Sequence, residues 1–109
     1  MIIVGFEIII ELIKRERRLR PQQGATLDRR IAAWKQEVEQ ARWTQPTEVK
    51  AVYGTADVVG GNRIVFDICG NSYRLVVHFK YAGGASDGIA RIRFAGTHQE
   101  YDKIDVRTV

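Results

Sequence analysis

The side chains of this chain best suited to proton and phosphate chemistry stand together near its end: His98, Tyr101 and Lys103, with Glu100 and Asp102 between them. Histidine exchanges protons near neutrality because its ordinary pKa is about 6.5. A neighbouring tyrosine or lysine can orient a hydroxyl or pass a second proton. Earlier in the chain, Arg74 and Arg93 carry guanidinium forks able to hold a phosphate through charge-assisted hydrogen bonds. RNA cut by its own 2′-hydroxyl needs one proton taken, another given and the charged phosphate held, all without a metal ion. The candidates are His98 for proton transfer, Tyr101 or Lys103 for the second group, and Arg74 and Arg93 for the phosphate, gathered in one open groove with Arg74 and His98 on the same side. Alone, a cluster with one histidine also fits a helix start satisfied by local hydrogen bonds.

The strands and helices that position these groups follow from hydrophobic periodicity. Tyr73–Tyr81 alternates, with Tyr73, Leu75, Val77, Phe79 and Tyr81 on one side and Arg74, Val76, His78 and Lys80 on the other. Arg63–Cys69 alternates likewise through Ile64, Phe66 and Ile68, and Gly70 with Asn71 supplies a turn between the two runs. A third strand, Ile89–Ala95, is expected to put Ile92 and Phe94 inward and Arg91 and Arg93 outward. The outward face then presents Arg74, His78, Lys80, Arg91 and Arg93 as a phosphate-binding surface, with no carboxylate on the last two strands, and Arg63 joins His78, Lys80, Arg91 and Arg93 as the expected RNA-binding set. The inward face needs a cover, and two helices supply it. Ile2–Val4 reads as a short first strand, Gly5 as a turn, and Phe6–Arg18 as a helix closed by Pro21. Gln22–Ala25 reads as a loop, with Thr26 capping a second helix whose apolar stripe is Leu27, Ile31, Trp34, Val38 and Ala41. Trp34 and Trp43 are expected in the core. Pro46–Tyr53 is a short helical stretch, followed by a polar connection ending at Gly60, Gly61 and Asn62.

A length of 109 residues fits a single domain, 1–109, of α+β class, with two N-terminal helices on one face of a small antiparallel sheet. The chain is too short for the two large lobes that many cofactor folds need, and no cofactor or metal ligand set is expected. Seventeen Lys and Arg against 13 Asp and Glu leave a net charge of +4, which favours anionic partners. The one cysteine, Cys69, cannot form an internal disulfide, so a reducing compartment is expected. Met1–Ile13 is apolar but interrupted by Glu7 and Glu11, so cytoplasm and no membrane association are expected.

Several stretches resemble the HigB family of toxins. They are Asn62–Ile68, Gly70–Val77, Ile92–His98 and Glu100–Asp105, with Trp43, Pro46, Lys50, Tyr53, Ala56 and Asp57 upstream, so that the likeness spans roughly residues 34 to 105. The resemblance implies a RelE-like fold, cleavage of messenger RNA in the ribosomal A site, and neutralisation by a HigA-type antitoxin. It also allows a heterotetramer with that antitoxin. In the wider RelE-like group the arginine of a Tyr-Arg-Leu strand motif contacts the reacting phosphate, which carries onto Arg74. The groups after the last strand carry onto His98, Tyr101 and Lys103. Two departures stand out: residues before Trp34 match poorly, and Asp67 stands where the family commonly has asparagine. The rival from another class is a non-catalytic relative that binds a protein target such as gyrase. The antitoxin surface is expected on the helices or along a sheet edge.

Overall fold

The computed structural model describes residues 1–109. The chain opens with strand β1 (Ile2–Val4), then turns into helix α1 (Phe6–Leu19) at Gly5. Gly5 has φ 84°, a left-handed backbone that costs other residues about 1 kcal/mol or more. A Cβ there would also stand 3.1 Å from Ile92 O. The buried stripe of α1 is Ile9, Leu12, Ile13 and, unusually, Glu16.

Helix α2 (Pro21–Gln40) begins earlier than expected. Gln22–Ala25 is helical, not a loop, and Thr26 does not cap the helix. Its hydroxyl instead donates to Gln22 O at 3.1 Å from within the helix. Proline suits a first helical position because its missing N–H would have no partner there; Pro21 therefore opens the second helix as well as ending the first. Gly24 explains how the two helices approach so soon after the turn: a Cβ there would lie 2.4 Å from Arg17 N. At its other end α2 receives three hydrogen bonds from the Met1 amino nitrogen, onto the carbonyls of Val38, Glu39 and Ala41.

After α2 come α3 (Pro46–Val52), β2 (Asp57–Val59), β3 (Arg63–Ile68), β4 (Tyr73–Lys80), β5 (Ile89–Thr97) and the single-turn helix α4 (His98–Tyr101). The sheet order is β1-β5-β4-β3-β2. The last four strands are antiparallel, but β1 joins the β5 edge in parallel, so the sheet is mixed. Parallel pairing needs a long crossover, and everything from α1 to β4 lies between the two partners. Strand β2 falls inside the expected loop; three residues are too few for alternation to be legible.

The helices cover one sheet face over a core of 20 buried apolar residues. Leu27, Ile31, Trp34 and Val38 form the buried stripe of α2, as their spacing predicts. Phe66 takes the edges of Trp34 and Tyr53 at centroid distances of 5.5 and 5.2 Å, and Trp43 meets Phe79 at 5.9 Å. Both tryptophans are thus core residues, each such aromatic bringing a large apolar area out of water. Cys69 lies just past β3, in the left-handed turn with φ 58°. No helix is long and apolar enough to cross a membrane.

Candidate nucleic-acid interface

The face of the sheet opposite the helices is built in three ranks running across β3, β4 and β5. Register places Arg63, His78 and Arg91 in one rank, Val65, Val76 and Phe94 in the next, and Asp67, Arg74 and Gly96 in the third. The middle rank contains the main correction to the expected alternation. Val76 faces Phe94 while Val77 faces Ile92, so Arg93 is the extra residue of a β-bulge. A bulge reverses which face the following residues point to. Phe94 therefore belongs to this second face and not to the helix-covered core, and Gly96 stands opposite Arg74. A Cβ on Gly96 would lie 2.6 Å from Phe94 Cζ.

Nor is this face simply basic and open. Val65 and Val76 are almost wholly buried, and the chain after β5 lies across them. The Tyr101 ring sits 6.4 Å from that of Phe94. Val109 O accepts from Arg63 Nη2 at 3.0 Å and Arg93 Nε at 3.3 Å.

The third rank is densely bonded. Arg74 is 9% exposed. Its Nε pairs with Asp67 Oδ1 at 3.0 Å, Nη1 donates to the carbonyls of Asn71 and Tyr73, and Nη2 donates to Asn71 Oδ1. Asp67 thus does face the second side of the sheet. Tyr101 belongs to the same neighbourhood. Burial pushes its phenol up, the Asp57 carboxylate adds to the rise, and the Arg74 guanidinium opposes it.

His98 is placed differently. Its Nδ1 lies 3.1 Å from Asp102 Oδ2, one helical turn on, an arrangement that orients the ring and leaves Nε2 as the free nitrogen. Its side chain lines a cavity of about 200 Å³ shared with Glu16, Arg20, Gln23 and Tyr73, on the helical side of the sheet end. Arg74, by contrast, is folded onto Asp67 and Asn71. The single groove expected to hold Arg74 and His98 side by side is therefore split, His98 lining the cavity with Glu16 and Tyr73 and Arg74 bonded to Asp67 and Asn71. Lys103 is exposed and has no ion pair.

Helix α4 is held from two directions. Thr97 and Glu100 form a capping box: Thr97 Oγ1 accepts from Glu100 N at 3.1 Å and Glu100 Oε1 from Thr97 N at 2.9 Å. Arg15 of α1 grips the same carboxylate through Nη1 and Nη2. That guanidinium is the main reason the Glu100 carboxyl is held down to about 2. Beneath, buried Glu16 accepts from Tyr73 Oη at 2.6 Å and from Arg20 Nη1 at 3.0 and 3.1 Å. Sequence reasoning missed this scaffold. The Thr-x-x-Glu spacing at residues 97–100 was a legible cap signal, whereas nothing in the sequence pairs Arg15 with Glu100 across 85 positions.

The first rank is the opposite case. Arg63, Lys80, Arg91 and Arg93 form no ion pair with any residue of the chain. His78 sits among them: burial pushes its imidazole down first, and Arg63, Arg93 and Arg91 push it further in the same direction.

Comparison with known proteins gives one result. The model of a protein family, HigB_toxin, described as the RelE-like toxic component of a toxin-antitoxin system, matches residues 28–104. No curated protein matches the chain.

Proposed function

The chain belongs to the HigB toxin family, RelE-like toxic components of toxin-antitoxin systems, and on that premise we propose that it is a metal-independent endoribonuclease acting in the cytoplasm on messenger RNA in the ribosomal A site. In this reading residues 1–109 work as one domain, neutralised by a HigA-type antitoxin. The 2′-hydroxyl attacks the adjacent phosphorus and the bond to the 5′-oxygen breaks, leaving a 2′,3′-cyclic phosphate and a 5′-hydroxyl. Arg74 stabilises the charge that builds on the phosphate, and Tyr101, beside it, orients or protonates an oxygen. His98, with Asp102 behind it, and Lys103 are the remaining proton carriers, which RNA binding must bring to the phosphate on Arg74 because the free protein holds His98 apart from it. The RNA backbone runs over Arg63, His78, Lys80, Arg91 and Arg93.

The observation that carries this reading is the surplus of cations on the first rank, none paired with an Asp or Glu side chain. Charge left unpaired on one face is what a polyanion needs, and neutralised pairs do not supply it. One observation favours the rival reading, a non-catalytic toxin that binds a protein target: Arg74 spends most of its N–H groups on its own chain. Purified ribosomes programmed with a defined message separate the two. Mapping of 5′ ends should show cleavage by the wild type and about a hundredfold slower cleavage by Arg74→Ala or His98→Ala. Intact messages with the wild-type protein, under conditions where it arrests growth, would exclude the nuclease.

A further inference from the structure

We propose that Arg63 and Arg93 form a seat for one RNA phosphodiester and that residues 105–109 occupy this seat in the free protein, so that the tail must leave before RNA is held there. The proposal rests on reading the first rank as an RNA surface and adds to it both a position and a competitor. Guanidinium N–H groups from two different strands converge on a single oxygen, Val109 O, at 3.0 and 3.3 Å. Neither arginine pairs with an Asp or Glu side chain, and the Arg63 Nε–H is buried with no acceptor at all. The seat exists because of the bulge. Arg93 is the residue outside the alternation, and that displacement lets it reach an oxygen it shares with β3.

Other than at these two arginines, hydrogen bonds do not tie the tail to the rest of the fold. Beyond Ile104, its other hydrogen bonds are local and turn on Asp105. Thr108 N and Val109 N donate to Asp105 O at 3.1 Å each, and Arg107 N to Asp105 Oδ1 at 3.0 Å. The two arginines make its only hydrogen bonds to the rest of the fold. Each guanidinium spends one N–H on that oxygen, and a phosphodiester's two non-bridging oxygens would give each arginine its own acceptor. The tail therefore shields the seat and yields it to RNA.

The test is fluorescence anisotropy with a labelled single-stranded RNA octamer and no ribosomes. It compares the full chain, a chain ending at Ile104, and the full chain with Asp105→Ala, which loosens the terminal turn while leaving the arginines and the core in place. The shortened chain should bind about tenfold more tightly, with Asp105→Ala between it and the full chain. The salt dependence of the shortened chain should steepen by about 0.7 per phosphate newly engaged. Adding Arg63→Ala to the shortened chain should abolish the gain. The proposal falls if both tail variants, folded by circular dichroism, bind no more tightly than the full chain, or if the gain survives Arg63→Ala. Should shortening unfold the protein, Asp105→Ala decides alone. RNA affinity is read here without cleavage, so a protein that binds but does not cut would sink the nuclease and leave this question answered.

Discussion

The two polar ranks of the sheet face opposite the helices both carry arginines and do opposite things with them. In the rank of Asp67, Arg74 and Gly96 the one arginine is buried, ion-paired and hydrogen-bonded to the turn behind it. In the rank of Arg63, His78 and Arg91, with Arg93 and Lys80 nearby, no cation has a carboxylate. The apolar rank of Val65, Val76 and Phe94 lies between them. A charge held in one geometry by its own protein adds little long-range attraction but requires no reorganisation when an oxyanion develops beside it. An unpaired charge attracts a polyanion from a distance but is not itself held in position. The second arrangement suits a substrate backbone, whereas the first fixes Arg74 in place and leaves little of its donor capacity for a reacting phosphate.

The contrast can be broken at several points. Beneath the Arg74 end, Glu16 holds Tyr73 and Arg20 in a site that is 1% exposed. Glu16→Ala leaves Tyr73 Oη and the Arg20 guanidinium without their shared carboxylate and should cost about 3 kcal/mol in urea unfolding; a loss within experimental error would mean that this end is not anchored through α1. Arg74→Ala should slow ribosome-dependent cleavage by about two orders of magnitude, while RNA affinity measured by anisotropy changes far less. If the two fall together, both ranks serve only to bind. Arg91→Ala is the mirror experiment. Stability should stay within about 0.5 kcal/mol, and the slope of log affinity against log salt should become shallower by about 0.7.

Two titrations sharpen the same comparison. The folded Glu100 carboxyl is held at about 2, below its usual value, chiefly by Arg15. Its contribution is therefore fully present above its unfolded pKa near 4.5 and is lost as pH falls toward 2. Glu100→Gln should flatten the stability profile in that acid window. Because the side chain is 41% exposed, solvent screening should keep the loss at neutral pH under about 1 kcal/mol. The smallest effect concerns His78, whose imidazole is depressed by burial and by three arginines. A phosphate on the first rank should reverse that field, so the NMR-titrated pKa of His78 should rise when RNA binds. A value unmoved by saturating RNA would place the backbone elsewhere.

How far the fold could be read depended on the kind of signal each element carried. Strands β3 and β4 and the stripe on α2 announce themselves because apolar residues recur at periods that only one local geometry can bury. Pro21 misled, since proline marks the end of one helix and the start of the next equally well. Strand β2 is too short to show a period, and the parallel place of β1 depends on a partner almost 90 residues away. Among the site residues, the tyrosine and basic groups after β5 stand out by type alone. The splitting of His98 from Arg74 does not, because one inserted residue at Arg93 changes which side of the sheet everything beyond it faces.

The order of residues along the chain settles the periodic elements, the excess positive charge and the family likeness, because each is written in neighbours a few positions apart. Which cations stay free and which are spent was decided only by folding. Asp67 neutralises Arg74, Arg15 grips Glu100 and the tail meets Arg63 and Arg93 through pairings set by strand register and helix docking. Free energies of that kind belong to distances in space, and a linear sequence does not carry those distances.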